Sequence, residues 1–458
     1  MESSDQKHVV IIGNGIAGIT AARHIRKKSD HKITVISAES KHFFSRTALM
    51  YIYMGHMKYE HTKPYEDWFW EKNDINLVYD FVSEVNTNSK LLQLKSGKQI
   101  KYDDLILATG SKYNMFGWKG QGLKGVQGLY SVQDLEKLEE NTHPPFPKPQ
   151  EKKVHRAVIV GGGLIGVELS EMLMTREVEV TFLVRESRYW GNVMPEEEGA
   201  LIDRHMKEHH VDVRYNEELE EIIGDESGRV KAVRTVSGEV IPCQFVGITA
   251  GVHPNIEVVK HSRVETDKGV LINEFLETNI PNVYAIGDCA QMREPIGERK
   301  PIEQVWYTGR IMGETVAFTI CGERTKYQPG VWFNSAKFFD IEYQTYGWVM
   351  SELQEGEEKF VWTDDSGKKL LKLVYDKSSR KLKGINTFGI RLRHNICADW
   401  IEKEVSVEYA LEKFRTANFD PEFFKRHEKE IINQFNSENG TSLKPAGKSW
   451  KRILEFYK

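Results

Sequence analysis

Two stretches of the chain repeat one pattern of apolar and polar positions. "HVVIIGNGIAGITAA" begins at His8, and "RAVIVGGGLIGVELSE" begins at Arg156. In each, an apolar run predicts a strand, glycines predict a tight turn, and small residues predict the start of a helix. Because the copies start about 150 residues apart, the repeat indicates two domains of one type rather than two halves of one domain.

The rest of the pattern predicts further elements and a connector. "SVQDLEKLEE" (Ser131–Glu140) has helical spacing, and the prolines between Pro144 and Pro149 predict an extended connector. Further on, "KLLKLVYD" and "KLKGINTFGI" predict two strands of a hairpin that turns at "KSSR". The last ~60 residues have mostly helical spacing.

The first glycine turn has the form GxGxxG, made by Gly13, Gly15 and Gly18. The first glycine permits the tight turn, the second lets the backbone approach a pyrophosphate, and the third allows close packing of helix on strand. Glu39 follows the next predicted strand, "KITVIS", where an acid accepts hydrogen bonds from ribose hydroxyls. The alternative interpretations are a generic glycine turn and a solvated surface acid.

The second glycine turn leaves the choice of nucleotide open. Its glycines are Gly161, Gly163 and Gly166. Glu186 lies where an acid binds a ribose diol, which favours NADH. Arg185 and Arg188 flank it and favour the 2′-phosphate of NADPH, or are exposed charges at the end of a strand. The sequence therefore predicts NAD(P)H.

Composition and charge narrow the class of protein. The 458 residues are 40% hydrophobic and 28% charged, which predicts a soluble protein of two or three domains. A net charge of −4 gives no reason to expect nucleic acid or an anionic membrane as the main partner. No secretory signal is visible before the first strand, and the widely spaced cysteines indicate free thiols in the cytoplasm, without an iron–sulfur or zinc site. His209 and His210 predict a helix end before a strand, and no metal site is predicted.

Two more segments complete a family pattern. "LILATGS" (Leu105–Ser111) is an apolar strand that ends in Ala-Thr-Gly, and "TNIPNVYAIGDCA" contains T-x4-VYAIGD. Together with both glycine turns and "GVHPN", these segments resemble the FAD-dependent pyridine nucleotide-disulfide oxidoreductase superfamily over roughly residues 8 to 350.

The resemblance implies a role for each matching residue. The residues expected at the ADP half of FAD are Gly13, Gly15, Gly18 and Glu39. Those expected at NAD(P)H are Gly161, Gly163, Gly166, Arg185 and Glu186. Those expected along the rest of FAD are Thr109, Gly110, Gly287 and Asp288, with Asp288 accepting a hydrogen bond from the ribityl chain. Glu168 is the catalytic candidate, because it occupies the position that faces the nicotinamide; the alternative is a helix acid near a helix N-terminus.

The segment "KHFFSRTALMYIYMG" selects a branch of the superfamily. Disulfide reductases carry CxxxxC here, and coenzyme A-disulfide reductases and NADH oxidases carry one cysteine, whereas this chain has no cysteine before Cys243. Phe44, Arg46 and Leu49 resemble instead the branch of rubredoxin and ferredoxin reductases, the flavin domain of nitrite reductase and apoptosis-inducing factor. Arg46 is then expected to contact FAD, and Tyr51 stands where relatives often have a lysine. After this segment, Glu303, Gln304 and Trp306 are candidates to line the flavin from the start of a further helix.

The expected fold is α/β: two Rossmann-like three-layer domains for FAD and NAD(P)H, and an α+β C-terminal domain. The expected boundaries are 1–140 with 256–325 for FAD, 150–255 for NAD(P)H, and 326–458 for the C-terminal domain. That last domain resembles the family only at its start. Within it, Arg391, Arg393 and His394, with Lys381 and Lys383, are either a basic patch for an acidic carrier or, preferably, a solvated face.

The expected function is FAD-dependent NAD(P)H oxidoreduction. Electrons are expected to leave for a separate carrier, such as a ferredoxin- or rubredoxin-type iron–sulfur protein, without a thiol relay. Two alternatives stay open: NAD(P)H:quinone reduction, with the tail "GKSWKRILEFYK" at a membrane, and a redox-sensing interaction protein like apoptosis-inducing factor. A homodimer is possible, and the tail is more readily explained by docking on its own fold or on a subunit.

Overall fold

The structure is a computed structural model that describes residues 6–142, 154–419, 423 and 425–446. The predicted proline connector and the tail from residue 447 onward lie outside the described residues. The strands in chain order are β1 (His8–Ile12), β2 (Lys32–Ser37), β3 (Ile75–Tyr79), β4 (Val82–Asn86), β5 (Leu91–Leu94), β6 (Gln99–Lys101), β7 (Asp104–Leu107), β8 (Ser111–Tyr113), β9 (Val126–Gln127), β10 (Arg156–Val160), β11 (Glu179–Val184), β12 (Asp212–Tyr215), β13 (Leu219–Gly224), β14 (Val230–Thr235), β15 (Val240–Pro242), β16 (Phe245–Ile248), β17 (Val252–Pro254), β18 (Val270–Ile272), β19 (Val283–Ala285), β20 (Ala290–Met292), β21 (Phe333–Phe338), β22 (Ile341–Gly347), β23 (Glu357–Thr363), β24 (Leu370–Asp376) and β25 (Leu382–Phe388). The α-helices are α1 (Ile16–Lys28), α2 (Leu49–Tyr53), α3 (Trp68–Lys72), α4 (Val132–Thr142), α5 (Leu164–Met174), α6 (Glu196–Glu208), α7 (Trp306–Ile320), α8 (His394–Glu402), α9 (Val407–Ala417) and α10 (Glu428–Asn439).

The chain divides into two compact units. The first unit holds residues up to Arg185 together with Asn216–Pro329, and the second unit holds Glu186–Tyr215 and the residues from Gly330 onward. The three-domain division drawn from the sequence stays a prediction. None of the described helices is long and apolar enough to traverse a lipid bilayer.

One parallel sheet of the first unit carries the first glycine turn. Its strand order is β19-β7-β1-β2-β3, and the neighbouring strands run parallel. Ile12, at the end of β1, lies beside Ile36 and Leu107, so the carboxyl ends of three strands meet at one edge. Helix α7 packs against α1 so closely that a Cβ at Gly313 would lie 2.5 Å from the Ala17 carbonyl oxygen. This contact therefore requires glycine.

A second parallel sheet of the first unit carries the second glycine turn. Its strands follow the order β11-β10-β16-β9. Val160, at the end of β10, lies beside Leu183 and Ile248. The same strand-turn-helix arrangement thus occurs twice, as the repeated sequence pattern predicts. Apolar runs bury both faces of such strands, which is typical of parallel sheets.

Arg176, just after α5, forms hydrogen bonds that connect α5 with α4 and α2 in the first unit. Its guanidinium donates to Glu139 on α4 at 2.7 Å and to Thr142 on the same helix at 3.2 Å. It also donates to the Tyr53 carbonyl at the end of α2. The helix predicted at Ser131–Glu140 is present as α4, one residue later at its start and two later at its end.

The second unit is an antiparallel sheet covered by helices. Its order is β21-β22-β25-β24-β23, and the hairpin of β24 and β25 confirms the pairing predicted from the sequence. Apolar residues of α8, α9 and α10 form a core with the sheet; examples are Trp400, Leu411 and Phe435. The α/β fold with an α+β C-terminal region is therefore confirmed.

Two adjacent glutamates of α6, inside the second unit, have pKa values that are shifted in opposite directions. Glu197 accepts hydrogen bonds from Lys359 and, at 3.0 Å, from Lys372. Desolvation acts to raise the pKa of Glu197, but these lysines outweigh it and lower the pKa to about 2. Glu198 is fully buried and accepts a 2.9 Å hydrogen bond from Asn386, and burial raises its pKa to about 7. Glu197 is therefore ionised at neutral pH, whereas Glu198 gains and loses its proton around that pH.

Candidate functional site

The first glycine turn is shaped to leave room at one position. Gly13 has φ +114°, and a Cβ there would lie 2.0 Å from the Ala108 carbonyl oxygen. A Cβ at Gly18 would lie 2.1 Å from the Gly13 carbonyl oxygen. A Cβ at Gly15, in contrast, would meet no protein atom within 4 Å. The protein itself thus explains the first and third glycines, whereas the second leaves space for an external group.

The N-terminus of α1 indicates which kind of external group fits beside Gly15. Gly15 caps the helix without a side-chain hydrogen bond, and the first turn contains no acidic residue. Free backbone N–H groups and the helix dipole favour an anion at such a terminus. Asn14 holds the loop in place, because its Nδ2 donates to the Ser40 carbonyl at 2.8 Å. The turn therefore fits the pyrophosphate of a dinucleotide such as FAD.

The second glycine turn repeats this geometry. Gly161 has φ +120°, and a Cβ there would lie 2.6 Å from the backbone of Thr249. A Cβ at Gly166 would lie 2.6 Å from the Phe182 ring, whereas a Cβ at Gly163 would meet no atom within 4 Å. Helix α5 begins after Gly163, again without a side-chain cap. This turn fits the pyrophosphate of a second dinucleotide.

Glu39 and Arg46 form a pair that the sequence analysis did not foresee. Nη1 and Nη2 of Arg46 lie 2.8 Å and 2.5 Å from the two carboxylate oxygens of Glu39. The Val132 N–H donates to the same carboxylate at 3.0 Å. Arg46 also donates to the Tyr130 carbonyl at 2.5 Å, and its guanidinium carbon lies 4.4 Å from the centre of that ring. The two predicted FAD ligands are thus brought together and bind each other.

Asp288 lies at the centre of a largely half-buried polar cluster. Ser111 donates its hydroxyl to Asp288 at 3.1 Å and accepts a 2.7 Å hydrogen bond from Gln304. The Tyr130 hydroxyl accepts from the Ser111 N–H at 2.9 Å. Burial raises the pKa of Asp288 above its ordinary value, although the hydrogen bond from Ser111 and the charge of Arg46 act in the other direction. This cluster joins the start of β8 to the segment just before α7.

Gly287 lets this cluster approach the first glycine turn. It has φ +71°, and a Cβ there would lie 2.9 Å from the Ala17 side chain on α1. Asp288 follows it in the short 3-10 helix Gly287–Cys289, beside the N-terminal turn of α1. The predicted positions Gly287 and Asp288 therefore lie near the first glycine turn.

Thr109 and Gly110 both form hydrogen bonds with Asn255. Thr109 donates its hydroxyl to the Asn255 carbonyl at 2.5 Å, and Asn255 donates its N–H to the Gly110 carbonyl at 2.8 Å. These bonds fasten the end of β7 to the segment after β17. The hydroxyl of Thr109 is therefore engaged by the protein, and the role of both residues at FAD stays a prediction.

Glu168 and Tyr51 lie on two helices that contact each other. Glu168 is half-buried on α5, two residues after Gly166, and Tyr51 lies on α2. Helix α2 packs against α5 within the first unit. The Tyr51 ring stacks on His56 with ring centroids 6.1 Å apart. Tyr51, where the resemblance often implies a lysine, thus carries an aromatic ring on a helix in contact with the predicted catalytic helix.

Two of the three predicted flavin-lining residues have protein partners. Glu303 is buried, pairs with Arg299 at 2.9 Å and accepts a hydrogen bond from Thr308. Burial raises the Glu303 pKa, while Arg299 acts to lower it. Gln304 bonds Ser111, as described above, and Trp306 is exposed at the first residue of α7. Glu303 therefore fastens the approach to α7.

The predicted nucleotide-selecting residues follow β11. Arg185 is exposed and Glu186 is half-buried directly after Val184, the last residue of that strand. Arg188 instead donates to two backbone carbonyls, those of Met194 and, at 2.8 Å, Gly191. Arg188 is therefore committed to its own loop.

The cations of the C-terminal region are largely paired. Arg391 bonds Glu342, Lys381 lies 2.5 Å from Glu404, and Lys383 lies 3.1 Å from Glu357. Each pair lies within the second unit. This arrangement favours the solvated face over an open basic patch.

Sequence reasoning missed Ser111, Tyr130 and the structural role of Gln304. They join positions far apart in the chain, and Ser111 and Asp288 are 177 residues apart. Only the placement of Ser111 directly after the Ala-Thr-Gly strand end gave a local signal.

Comparison with known proteins places the chain among flavoenzymes. Residues 7–313 match the pyridine nucleotide-disulphide oxidoreductase family. The chain is 26% identical over 414 residues to a nitrite reductase (NAD(P)H) of Bacillus subtilis, a match that covers 88% of this chain and 48% of that protein. It is 30% identical over 293 residues to the rubredoxin-NAD(+) reductase of Acinetobacter baylyi, which covers 62% of this chain and 72% of that protein. The solved NAD-dependent persulfide reductase from A. fulgidus shares the fold, with a TM-score of 0.79 at 21% identity over 94% of this chain and 84% of that chain.

Proposed function

The chain belongs to the pyridine nucleotide-disulphide oxidoreductase family, and from that premise we propose that it passes electrons from NAD(P)H through FAD to a separate redox protein, without a thiol relay. It is an NAD(P)H-dependent oxidoreductase whose cofactors are FAD and NAD(P)H. The proposed acceptor is a ferredoxin- or rubredoxin-type iron–sulfur protein. The relative named rubredoxin-NAD(+) reductase supports this class of acceptor.

The burial of the cysteines is the observation on which the proposal mainly rests. Cys243, Cys289 and Cys397 are buried, and Cys321 is half-buried. Burial raises the pKa of all four thiols, that of Cys243 to about 12. A relay requires an accessible thiolate, because the thiolate is the nucleophile in thiol–disulfide exchange. None of the four cysteines, all of which lie in the described residues, has that character.

Cys289 is the cysteine that adjoins the predicted flavin site, since it follows Asp288. Its Sγ lies 3.4 Å from the carbonyl oxygens of Leu107 and Ile286, inside the protein. The thiol therefore faces the sheet. This orientation supports an exit for electrons that does not use sulfur on this chain.

The chain's residues bind and orient the two cofactors. FAD supplies the hydride-accepting and electron-donating chemistry when it is bound. The open positions at Gly15 and Gly163 admit the two pyrophosphates, each at the start of a helix. Asp288, which accepts a hydrogen bond from Ser111, is proposed to accept another from the ribityl chain, and Glu168 is proposed to orient the nicotinamide. The N-terminus of α7 favours negative charge near it.

Anaerobic mixing with NADH or NADPH, followed by addition of an acceptor, tests the proposal. The visible absorbance of oxidised flavin should disappear on mixing and return when a rubredoxin or ferredoxin is added. Pretreatment with N-ethylmaleimide should leave both steps unchanged. A chain in which all four cysteines are serine or alanine should behave likewise if it folds.

Other outcomes distinguish the rival functions. Rapid reduction of a coenzyme A persulfide that N-ethylmaleimide abolishes would contradict the proposal and favour a thiol relay. Rapid reduction of a quinone in liposomes that requires residues 446–458 would favour the membrane alternative. A long-lived reduced complex with slow turnover for every acceptor would favour redox sensing.

A further inference from the structure

A histidine pair on α6 meets an aspartate of a hairpin turn in the second unit. His205 and His209 are four residues apart, so their side chains lie on one face of the helix. Nε2 of His205 lies 2.5 Å from Oδ1 of Asp340, and Nε2 of His209 lies 3.7 Å from the same oxygen. One ligand atom from each of the three residues falls within 4.8 Å of the other two. Sequence spacing could not show this, because Asp340 lies 135 residues beyond His205.

We propose that His205, His209 and Asp340 form a binding site for a divalent transition metal, for which Zn²⁺ is the best-suited ion. Zinc takes imidazole nitrogen at about 2.0–2.1 Å and carboxylate oxygen at about 2.0–2.2 Å, usually in tetrahedral geometry. Ligand atoms around such an ion are then about 3.3 Å apart. The 2.5 Å and 3.7 Å separations lie on either side of this value. Small side-chain movements therefore suffice to admit the ion.

A carboxylate behind the first histidine supports this assignment. Nδ1 of His205 lies 3.4 Å from Oε2 of Glu208, on the side of the ring away from Asp340. Metal-bound histidines usually donate their second ring N–H to such a group, which fixes the tautomer that leaves the other nitrogen free to bind the ion. Lys368 lies 3.7 Å from the same Glu208 oxygen and partly offsets its charge.

Packing restrains the candidate ligands before any ion binds. Phe339 stacks on His209, with ring centroids 4.3 Å apart and an angle of 5° between the rings, and meets His205 edge-on at 5.8 Å. His205 is 2% exposed, whereas His209 and Asp340 are 39% and 64% exposed. The site thus has a rigid inner side and an outer side from which an ion and a water ligand can enter. Three protein ligands with one open position are typical of zinc sites that retain water.

Zinc titration of the FAD-loaded full chain, first treated with a chelator, tests the proposal. Isothermal titration calorimetry should give one Zn²⁺ per chain. His209→Ala and Asp340→Asn, at exposed positions where folding is tolerant, should each weaken binding at least 10-fold. Glu208→Gln should weaken it by roughly 10-fold, as loss of an outer partner does. His261→Ala, which removes an exposed histidine elsewhere, should leave the affinity unchanged.

X-ray absorption at the zinc edge separates this site from cysteine binding. The expected spectrum has nitrogen and oxygen ligands near ~2.0–2.1 Å and no sulfur near ~2.3 Å. A spectrum with sulfur ligands would overturn the proposal, as would a wild-type chain that takes up no Zn²⁺. Equal affinity of the wild type and both His209→Ala and Asp340→Asn would overturn it as well.

Discussion

The guanidinium carbon of Arg176 lies 3.5 Å from the centre of the Tyr53 ring, and Arg176 donates to the carbonyl of the same tyrosine at 2.8 Å. The side chain of Arg176 is only 7% exposed. Replacing it by alanine leaves Glu139, Thr142 and the Tyr53 carbonyl without their shared donor. Loss of one partner from a buried ion pair typically costs about 3 kcal/mol or more.

We therefore expect Arg176→Ala to lower the free energy of unfolding by about 3 kcal/mol. Urea unfolding followed by tryptophan fluorescence measures the change. Arg156→Ala is the matched control, since its 2.9 Å pair with Glu179 is similar in length to the 2.7 Å pair of Arg176 with Glu139 but is 57% and 73% exposed. Exposed pairs contribute about 0–1 kcal/mol. Equal losses in the two variants would contradict the role given to Arg176.

Substitutions at Gly15 and Gly163 should affect the binding of FAD and of NAD(P)H separately. Gly15→Ala and Gly163→Ala each add a methyl group that meets no protein atom within 4 Å, at positions where φ is negative. We expect both chains to keep the wild-type thermal stability when the cofactors are absent. Gly15→Ala should weaken FAD binding by about 100-fold, or about 2.7 kcal/mol. Gly163→Ala should bind FAD normally and raise the KM for NAD(P)H.

Flavin fluorescence titration and steady-state kinetics measure these two effects. Gly13→Ala provides the contrast, because its methyl group would lie 2.0 Å from the Ala108 carbonyl oxygen. That variant should lose stability even without cofactor. The interpretation of both turns fails if Gly163→Ala loses FAD as readily as Gly15→Ala.

The residues after β11 predict a preference for NADH. Arg188 is engaged by the backbone of its own loop, and Glu186 stands where an acid accepts hydrogen bonds from a ribose diol. Glu186→Ala should raise the KM for NADH by roughly 10-fold, about 1.4 kcal/mol, and change the KM for NADPH less. Arg185→Ala should affect only NADPH. Initial rates with NADH and with NADPH measure these KM values. If the ratio of the two KM values is unchanged in Glu186→Ala, the predicted role of Glu186 in NADH preference is wrong.

How much the sequence predicts depends on how local each feature is. Gly13 and Gly161 were predicted because a tight turn imposes a backbone requirement that shows within a few residues. The hairpin of β24 and β25 was predicted for the same reason. The bonds of Ser111 to Asp288 and of His205 to Asp340 depend on which strands and helices become neighbours. No spacing along the chain encodes those contacts.

Arg46 shows a different limit of sequence reasoning. Family resemblance supplied a role for Glu39 and a role for Arg46, each toward the cofactor. It did not supply their interaction with each other, because a motif assigns partners to residues one at a time. The carboxylate and the guanidinium are seven residues apart, on either side of a turn, and the fold brings them within hydrogen-bond distance.

Glu198 predicts a pH-dependent stability. Its pKa is about 7 in the folded chain and 4.5 ordinarily, so the folded state keeps a proton that the unfolded chain releases between these values. The stabilisation from the protonated group is therefore fully present below about pH 4.5 and is lost as the pH rises through about 7. The two pKa values differ by about 2.5, which corresponds to at most about 3 kcal/mol.

Urea unfolding of the wild type and Glu198→Gln at pH 5 and pH 8 measures this effect. Relative to the wild type, the glutamine variant should be more stable at pH 8 than at pH 5. Glu197→Gln is the neighbouring control. Because the Glu197 pKa is lowered to about 2, Glu197 itself stays ionised at both pH values, and any change with pH in Glu197→Gln reports the loss of its charge beside Glu198. A pH-independent difference for Glu198→Gln would refute the assignment.

The pairing of Glu39 with Arg46 bears on how the protein is made. Since Arg46 supplies a counter-ion for Glu39 at the predicted ribose position, the charge of this carboxylate is compensated before cofactor binds. We expect folding to come first and flavin loading second, by exchange of one hydrogen-bond partner for another. We expect the purified apoprotein to remain folded. Flavins with altered redox potential can be inserted into it to set the driving force of electron transfer by chemistry rather than by mutation.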